Sequence, residues 1–390
     1  MIEVFLIFFR LGCTSFGGPV AHLGYFHNEF VVKRKWFAES TYADLVALCQ
    51  FLPGPSSSQV GIAIGLSRAG VFGALAAWLG FTLPSALILI AFAYGISLYH
   101  ASLSGNWLHG LKVVAVAVVA QALWGMGTKL CPDKKRTSIA ALAALGATLL
   151  PFAFGQIAVI CLGAALGLLF LRETTDLPHA PLRLNLSRTS GAVVLILFAL
   201  LLIALPIAAA QTQLQGVKLF DSFFRAGSLV FGGGHVVLPL LKAEVVNPGW
   251  VSADAFMAGY GAAQAIPGPL FTFTAYLGAI SSIEPAGLLG ALICLIAAFL
   301  PSFFLVFGTL PFWESLRRNQ KMRFAMLGIN ASVVGLLLAA FYNPVWTSAI
   351  LAPRDFVFAL VCFIMLTFWK LPSWLVALFG AAVGLVMAGL

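Results

Sequence analysis

Residues 53–59 read Pro53-Gly54-Pro55-Ser56-Ser57-Ser58-Gln59, where proline and glycine end one helix and pre-set the first turn of the next. A helix starting there aims unpaired N–H groups and the positive end of its dipole into the gap. Three serine hydroxyls add further donors. A tetrahedral oxyanion needs convergent donors more than one opposite charge, so Gln50, Pro53, Gly54, Ser56, Ser57 and Ser58 are candidate contacts. A second Pro-Gly-Pro, at 267–269, again follows a glutamine, Gln264, but leads into Leu270-Phe271-Thr272. Gly268 and Thr272 therefore belong to a second, chemically unequal site, and the first is expected to dominate.

Upstream of each motif lies a glycine-rich break: Gly12-Cys13-Thr14-Ser15-Phe16-Gly17-Gly18-Pro19, and again Gly227–Gly234. Ser15, Gly17, Gly18, Gly232 and Gly233 are the candidate contacts there. Arg10 and Arg225 stand a few residues before the breaks, and a guanidinium near a membrane centre costs at least about 2.5 kcal/mol. Each supplies a fixed positive charge for an anion, or clamps a matched carboxylate, Glu29 or Glu244. Those two glutamates are the candidate proton carriers if transport is driven by a proton gradient. His22, His27 and His235 lie near the turns as candidate proton or anion contacts. Asp44 and Asp254, near helix starts, read as dipole partners.

The elements that must position these residues are membrane helices. Of 390 residues, 61% are apolar and 9% charged, with a mean hydropathy of +1.01. Stretches such as Val71–Tyr94, Gly191–Ala210 and Gly287–Leu310 carry no charge over the ~20 residues that a span requires. Backbone groups freed at a break cannot face lipid. Short helices on either side of a break are therefore expected to dip in and turn back as re-entrant hairpins. The start of the chain lacks a basic residue before its first apolar run, so no cleavable leader is expected. Six cysteines in no ligand spacing argue against disulfides and zinc. The net charge of +9 resides in short clusters between apolar runs, which orients a membrane protein and does not indicate nucleic acid. His-Glu-x-x-His, Gly-x-Ser-x-Gly with a histidine partner and His/Cys clusters are missing from the sequence, so neither catalysis nor a metal or other cofactor is expected.

The chain is written twice. Sliding it over itself lays Phe9-Arg10-Leu11-Gly12 and Phe16-Gly17-Gly18 on Phe224-Arg225-Ala226-Gly227 and Phe231-Gly232-Gly233. Glu29 falls on Glu244, Trp36 on Trp250, Gln50 on Gln264, the first Pro-Gly-Pro on the second, and Pro84-Ser85 on Pro301-Ser302. Internal duplication is a recurrent construction among secondary transporters. The expected domains are a first repeat over 1–171, a linker with one extra transmembrane helix over 172–216, and a second repeat over 217–390. With hairpins that return to their side of entry, Lys33, Arg34, Lys35, Arg68, Lys134, Lys135 and Arg136 share a side with Met1, while Lys112, Lys218, Lys242 and Arg354 lie opposite. That bias favours an inverted arrangement, with the N-terminus cytoplasmic and the C-terminus periplasmic. The expected fold is an all-α membrane protein of two inverted-topology repeats with broken helical hairpins, roughly 10–13 membrane segments in all.

Phe16-Gly17-Gly18-Pro19-Val20-Ala21-His22, Gln50-Phe51-Leu52-Pro53-Gly54-Pro55 and the run from Ala76 to Ser85 strongly resemble the chromate ion transporter family, in its long two-domain bacterial form. The likeness covers both repeats. It implies a bacterial inner-membrane protein that exports chromate, driven by the proton gradient or membrane potential, and confers chromate resistance. Sulfate, with the same charge and nearly the same shape, is the natural competitor. Another oxyanion carrier, or an anion channel on the same scaffold, is the alternative. The partners expected are chromate, sulfate, protons and the lipid bilayer, with a homodimer left open. Cys13 and Cys49 sit beside the proposed site, and thiols reduce chromate, so they are expected to face away from the path or to mark a different oxyanion.

Overall fold

The computed structural model describes residues 1–98, 106–150, 153–172, 187–231 and 236–386. Helices fill it, and no strand occurs among the described residues. Among the described residues, five helical stretches are long and apolar enough to cross a membrane: Ser56–Ile96, Trp107–Leu130, Arg188–Gln211, Gly287–Phe312 and Gln320–Ala349.

The first repeat opens with helices too short to span. α1 (Ile2–Thr14) and α3 (Glu39–Phe51) have 13 residues each, or ~20 Å of a ~30 Å apolar core. Each dips in and returns. α1 runs antiparallel to α2 (Gly18–His27) and the π-turn Asn28–Lys33 that extends it. Phe8 stacks on Phe30 at 5.2 Å and meets Phe26 edge-on, while Glu3 pairs with Arg34. α3 returns through the first limb of α4 (Ser56–Leu98), because Arg68 at the end of that limb lies 4.7 Å over the Trp36 ring just ahead of α3. Residues 3, 34, 36 and 68 thus gather at one end of the molecule, and both hairpins point inward from it. α4 is not one rod. It breaks at Ala69–Gly70, where Gly70 takes φ 62° and ψ −154°, a conformation open to glycine. The chain folds back so tightly there that the backbones of Gly65 and Gly73 leave no room for a Cβ. The limb from Val71 then crosses.

α5 (Asn106–Leu130) brings the chain back, its start tied to the end of α4 by Phe92 and Trp107, 5.9 Å apart. α6 (Lys134–Leu149) and α7 (Ala153–Phe170) form another hairpin from the basic end, with the Lys135 ammonium on the Phe170 carbonyl at 3.1 Å. Asp133 caps α6, and the backbone N–H and guanidinium of Arg136 hold its carboxyl below the usual carboxylate range. α8 (Arg188–Gln211), capped by Ser187, presents Leu200, Ile203 and Ile207 outward, as a lipid-facing helix does.

The second repeat repeats this plan. It comprises α9 (Gln215–Ser228), α10 (Val237–Leu241) with its π-turn Lys242–Val246, α11 (Ala253–Ala265), α12 (Phe273–Ala279) and α13 (Gly287–Thr309). α14 (Trp313–Arg318), α15 (Gln320–Ala340), α16 (Thr347–Ala349), α17 (Pro353–Thr367) and α18 (Ser373–Val386) complete it. α11 enters and α12 returns, since the Ser282 N–H donates to the Trp250 carbonyl at 2.9 Å. Gly216, near the start of α9, lies against Pro285 at the same end. Gly278 and Gly290 meet backbone to backbone, as their counterparts Gly65 and Gly73 do.

The two repeats enter from opposite ends. From Gly70 to Tyr94 the helical rise is roughly 36 Å, enough to cross the apolar core. At that far end a methyl placed on Gly287 would lie 2.9 Å from the Tyr94 hydroxyl, so the outer end of the second repeat's hairpins sits where the first repeat's span finishes. Lys112, early in α5, pairs with Asp254 in the first turn of α11 at 2.6 Å, marking the same end. The repeats then exchange helices: α5 packs on α17 and α18, and its counterpart α15 packs on α6 and α7. The inverted all-α fold expected from the sequence is borne out. The apolar core gathers around Phe8, Phe26, Phe30 and Phe81 in the first repeat and around Phe224, Phe273, Tyr276 and Phe299 in the second.

Candidate functional site at the hairpin tips

The candidate site forms where hairpin turns of the two repeats meet. α1 ends at Thr14, Ser15 extends, and Gly17 and Gly18 follow with φ of 96° and 75°. Two successive left-handed residues suit glycine alone at low cost, and they turn the chain directly into α2 with Pro19 in its first turn. The second tip runs through Leu52 and Pro53 to Gly54, φ 122°, and the Gln59 amide donates to the Pro53 carbonyl at 2.6 Å. Helix α4 then begins at Ser56.

The tips interlock across the repeats. The Gly54 N–H donates to the Val230 carbonyl at 2.6 Å, and the Gly268 N–H donates to the Ser15 carbonyl at 2.9 Å. Ser15 and Val230 are equivalent positions, as are Gly54 and Gly268, so the exchange is reciprocal. A Cβ on Gly54 would stand 3.0 Å from the Ser302 hydroxyl, and one on Gly268 would stand 2.8 Å from Ser85, again a matched pair. Each Pro-Gly-Pro therefore rests on the midpoint of the other repeat's long span.

Polar atoms without partners concentrate here. The hydroxyls of Ser15, Ser58, Thr82 and Ser302 are buried and unpaired, as are Oε1 of Gln59 and Nε2 of both His22 and Gln264. Each such group costs ~1–3 kcal/mol when left unpaired, so the cluster is suited to a polar occupant. Ser57 is engaged with His22 Nδ1 at 3.3 Å. In the second repeat Thr272 and Thr274 donate to the Pro269 and Phe271 carbonyls, both at 2.7 Å, so their hydroxyls are used within their own turn. The inequality of the two tips read from the sequence is thus a matter of hydrogen bonding as well as composition.

The arginines hold hairpins closed. Arg10 pairs with Glu29 at 2.7 Å, and Glu29 also receives Arg34 at 2.7 Å and Lys33 at 3.9 Å. Arg225 pairs with Glu244 and with Asp221, both at 2.9 Å. Of the two roles open to these arginines, the clamp is the one seen. The repeats differ in sign: one buried carboxylate faces three cations in the first, and one buried guanidinium faces two carboxylates in the second. Leu6 occupies the position matching Asp221.

Other expected contacts are dispersed. Gln50 is exposed at the end of α3, and Ser56 is half-buried at the start of α4. His27 pairs with Glu39 at the surface. Gly232, Gly233 and His235 lie outside the described residues. Cys49 is buried in the apolar core of the first repeat, while Cys13 is exposed. Gly17, Gly18 and Gln264 line a cavity of about 320 Å3 together with Gln121, Lys370 and Ser373. The sequence reading passed over Gln59, Ser85, Ser302, Arg34 and Asp221. Ser85 and Ser302 carried a signal, being matched serines next to matched prolines in otherwise apolar spans; Arg34 and Asp221 carried none, since neither repeats.

Inverted repeats whose broken helices meet define a polytopic membrane protein of a construction found among transporters. The chain belongs to the chromate transporter family: the family model matches it twice, over residues 2–168 and 217–385. It is 26% identical to the chromate transport protein of Pseudomonas aeruginosa over 86% of this chain and 79% of the relative. It is 24% identical to the chromate transport protein of Cupriavidus metallidurans over 98% of this chain and 92% of that one. No solved structure matches it.

Proposed function

We propose that the protein exports chromate from the cytoplasm, driven by the proton gradient or the membrane potential, and so confers chromate resistance. The observation that carries this reading is the cluster of buried, unpaired polar atoms where helix starts from opposite ends of the molecule meet. Relatives named as chromate transport proteins support the substrate. Residues 1–171 and 217–390 act as the two repeats, with 172–216 as linker and extra helix. The end that carries Arg34, Arg68 and Lys134–Arg136 faces the cytoplasm of a bacterial inner membrane, since basic ends stay inside, and the C-terminus faces the periplasm. Of the two glutamates, Glu244 is the better proton carrier. It shares one guanidinium with Asp221, whereas Glu29 is neutralised three times over.

Inverted membrane vesicles given labelled chromate test the whole reading. Uptake should saturate, compete with sulfate and collapse with the proton gradient or the potential; uptake that rises linearly with concentration would mark a channel. Ser58→Ala, which removes an unpaired hydroxyl at the tip, should lower uptake several-fold, and normal uptake by this variant would misplace the site. Orientation is read by single cysteines in a background without the native ones. Glu284→Cys should react with a membrane-impermeant thiol reagent added outside cells, and Lys134→Cys only after lysis.

A further inference from the structure

We infer that the transported dianion is held in the cavity between the Gly17–Gly18 turn and the α17–α18 connection, with Lys370 as its counter-charge. The inference rests on the reading of the chain as an oxyanion transporter and adds the binding residues. Its starting point is an arithmetic of charge. Arg10 and Arg225 are engaged with carboxylates, so neither is free to meet an arriving anion. Lys370 lines the cavity, and among the described residues no carboxylate lies within ion-pairing distance of it.

The cavity is central. Val118 and Gln121 form part of its wall, and they stand roughly 18 and 23 Å along a helix that runs roughly 37 Å from Asn106 to Leu130. Both repeats contribute: the glycine turn enters from one end of the molecule, and Gln264, Lys370 and Ser373 from the other. Lys370 is an exposed residue of the connection between α17 and α18, and its charge is the one that the lining supplies. Lys370 also adopts φ 54°, a left-handed conformation unusual for a side chain of its size. Charge and backbone strain coincide at one residue facing one cavity.

The chemistry of the walls favours an anion. Gln264 is 8% exposed, and its Nε2 donor has no partner. The Thr367 hydroxyl is likewise buried and unpaired. Two helices begin at the cavity, α2 at Gly18 with no side-chain cap and α18 at Ser373, so first-turn N–H groups point toward it. Two other helices end nearby, and three of their carbonyls are taken. The Gln264 carbonyl accepts the Ser373 hydroxyl at 3.2 Å, the Leu366 carbonyl accepts the Gln121 amide at 3.0 Å, and the Met365 carbonyl accepts the Leu371 N–H at 3.0 Å. Unpaired donors remain in the walls. Among the described residues no carboxylate lines the space, so a lysine supplies its only formal side-chain charge. At about 320 Å3, against about 30 Å3 for each water, the cavity holds a tetrahedral dianion with several waters of its shell.

The test compares Lys370→Gln, Lys370→Arg, Gln264→Leu and the surface control Lys129→Gln with the native protein. Chromate uptake is measured in inverted vesicles, and sulfate binding to purified full-length protein is measured by the quenching of tryptophan fluorescence. Trp374, in the first turn of α18 with its ring 5.5 Å from Phe16, reports on the cavity. Lys370→Gln should raise the half-saturating concentration of both anions at least ~10-fold, because a charge-assisted contact is lost. Lys370→Arg should recover most of the affinity, Gln264→Leu should lose about 3–10-fold, and Lys129→Gln should match the native protein. Unchanged half-saturation in Lys370→Gln, with native uptake intact, overturns the site and leaves the transport reading standing. Native protein that neither moves chromate nor binds sulfate overturns the transport reading itself. If Lys370→Gln is aggregated on size-exclusion chromatography, Gln264→Leu decides alone, and native affinity in that variant overturns the site.

Discussion

Arg225→Ala should cost the protein most of its folded yield, and adding Asp221→Asn and Glu244→Gln to the same chain should restore it. The guanidinium holds two carboxylates at 2.9 Å, and all three residues are less than 9% exposed. Removing the cation leaves two buried negative charges without compensation, a loss of roughly 3–5 kcal/mol for a broken buried pair. The triple variant removes all the charges at once, and replacing a whole buried ionic group is often close to neutral. Monodisperse yield in detergent and the midpoint of thermal unfolding are the readouts. Arg10→Ala should be far milder, because Glu29 keeps Arg34 at 2.7 Å and the Arg10 side chain is already 57% exposed. Equal damage from the two arginine substitutions would refute the asymmetry between repeats. The triple variant carries a second expectation: folded but without its protonatable carboxylates, it should move chromate without responding to an imposed proton gradient.

Gly54→Ala should reduce chromate uptake by at least ~10-fold while leaving a folded protein. Gly54 has φ 122°, and its new Cβ would stand 2.6 Å from the Gln59 amide nitrogen and 3.0 Å from the Ser302 hydroxyl. A strained backbone position of this kind costs of order 1–3 kcal/mol. The more damaging effect is on geometry. Displacing Gln59 frees the Pro53 carbonyl, and shifting the tip stretches the Gly54 N–H bond to Val230, which joins the repeats. Misplacing binding groups by even 1 Å costs on the order of a hundredfold in rate where positioning does the work. Gly268→Ala, with φ 98° and a Cβ 2.8 Å from Ser85, should act in the same direction. Gly24→Ala, whose Cβ would enter open space on α2, serves as the control and should transport normally. Native uptake by Gly54→Ala would remove the hairpin tips from the transport path.

Much of the architecture is legible in the residues because the membrane limits the choices. A chain with 61% apolar residues and recurrent uncharged runs has to be helical across the bilayer, and proline and glycine at matched positions mark where those helices break. The hairpins could be read from length alone, since 13 residues of helix do not reach across. The clamp of Arg10 on Glu29 was one of two open readings, because sequence spacing does not say whether a guanidinium faces a carboxylate or a cavity. Arg34 and Asp221 decided that question, and each is found in only one repeat.

The sequence by itself therefore determined the class of fold, the duplication, the breaks and the family, all of which follow from composition and local order. Only the tertiary structure decided which breaks touch. The reciprocal bonds of Gly54 to Val230 and Gly268 to Ser15 join residues far apart in the chain, and no local pattern encodes them. It also decided which cations remain available. Lys370 reads as one lysine in a connection between two apolar helices until α5, α11 and the first glycine turn line the same cavity. The physical reason is the same in each case: helix and break are set by the backbone preferences of neighbours, whereas the polarity of a site is set by groups that meet only after helices from opposite ends have packed.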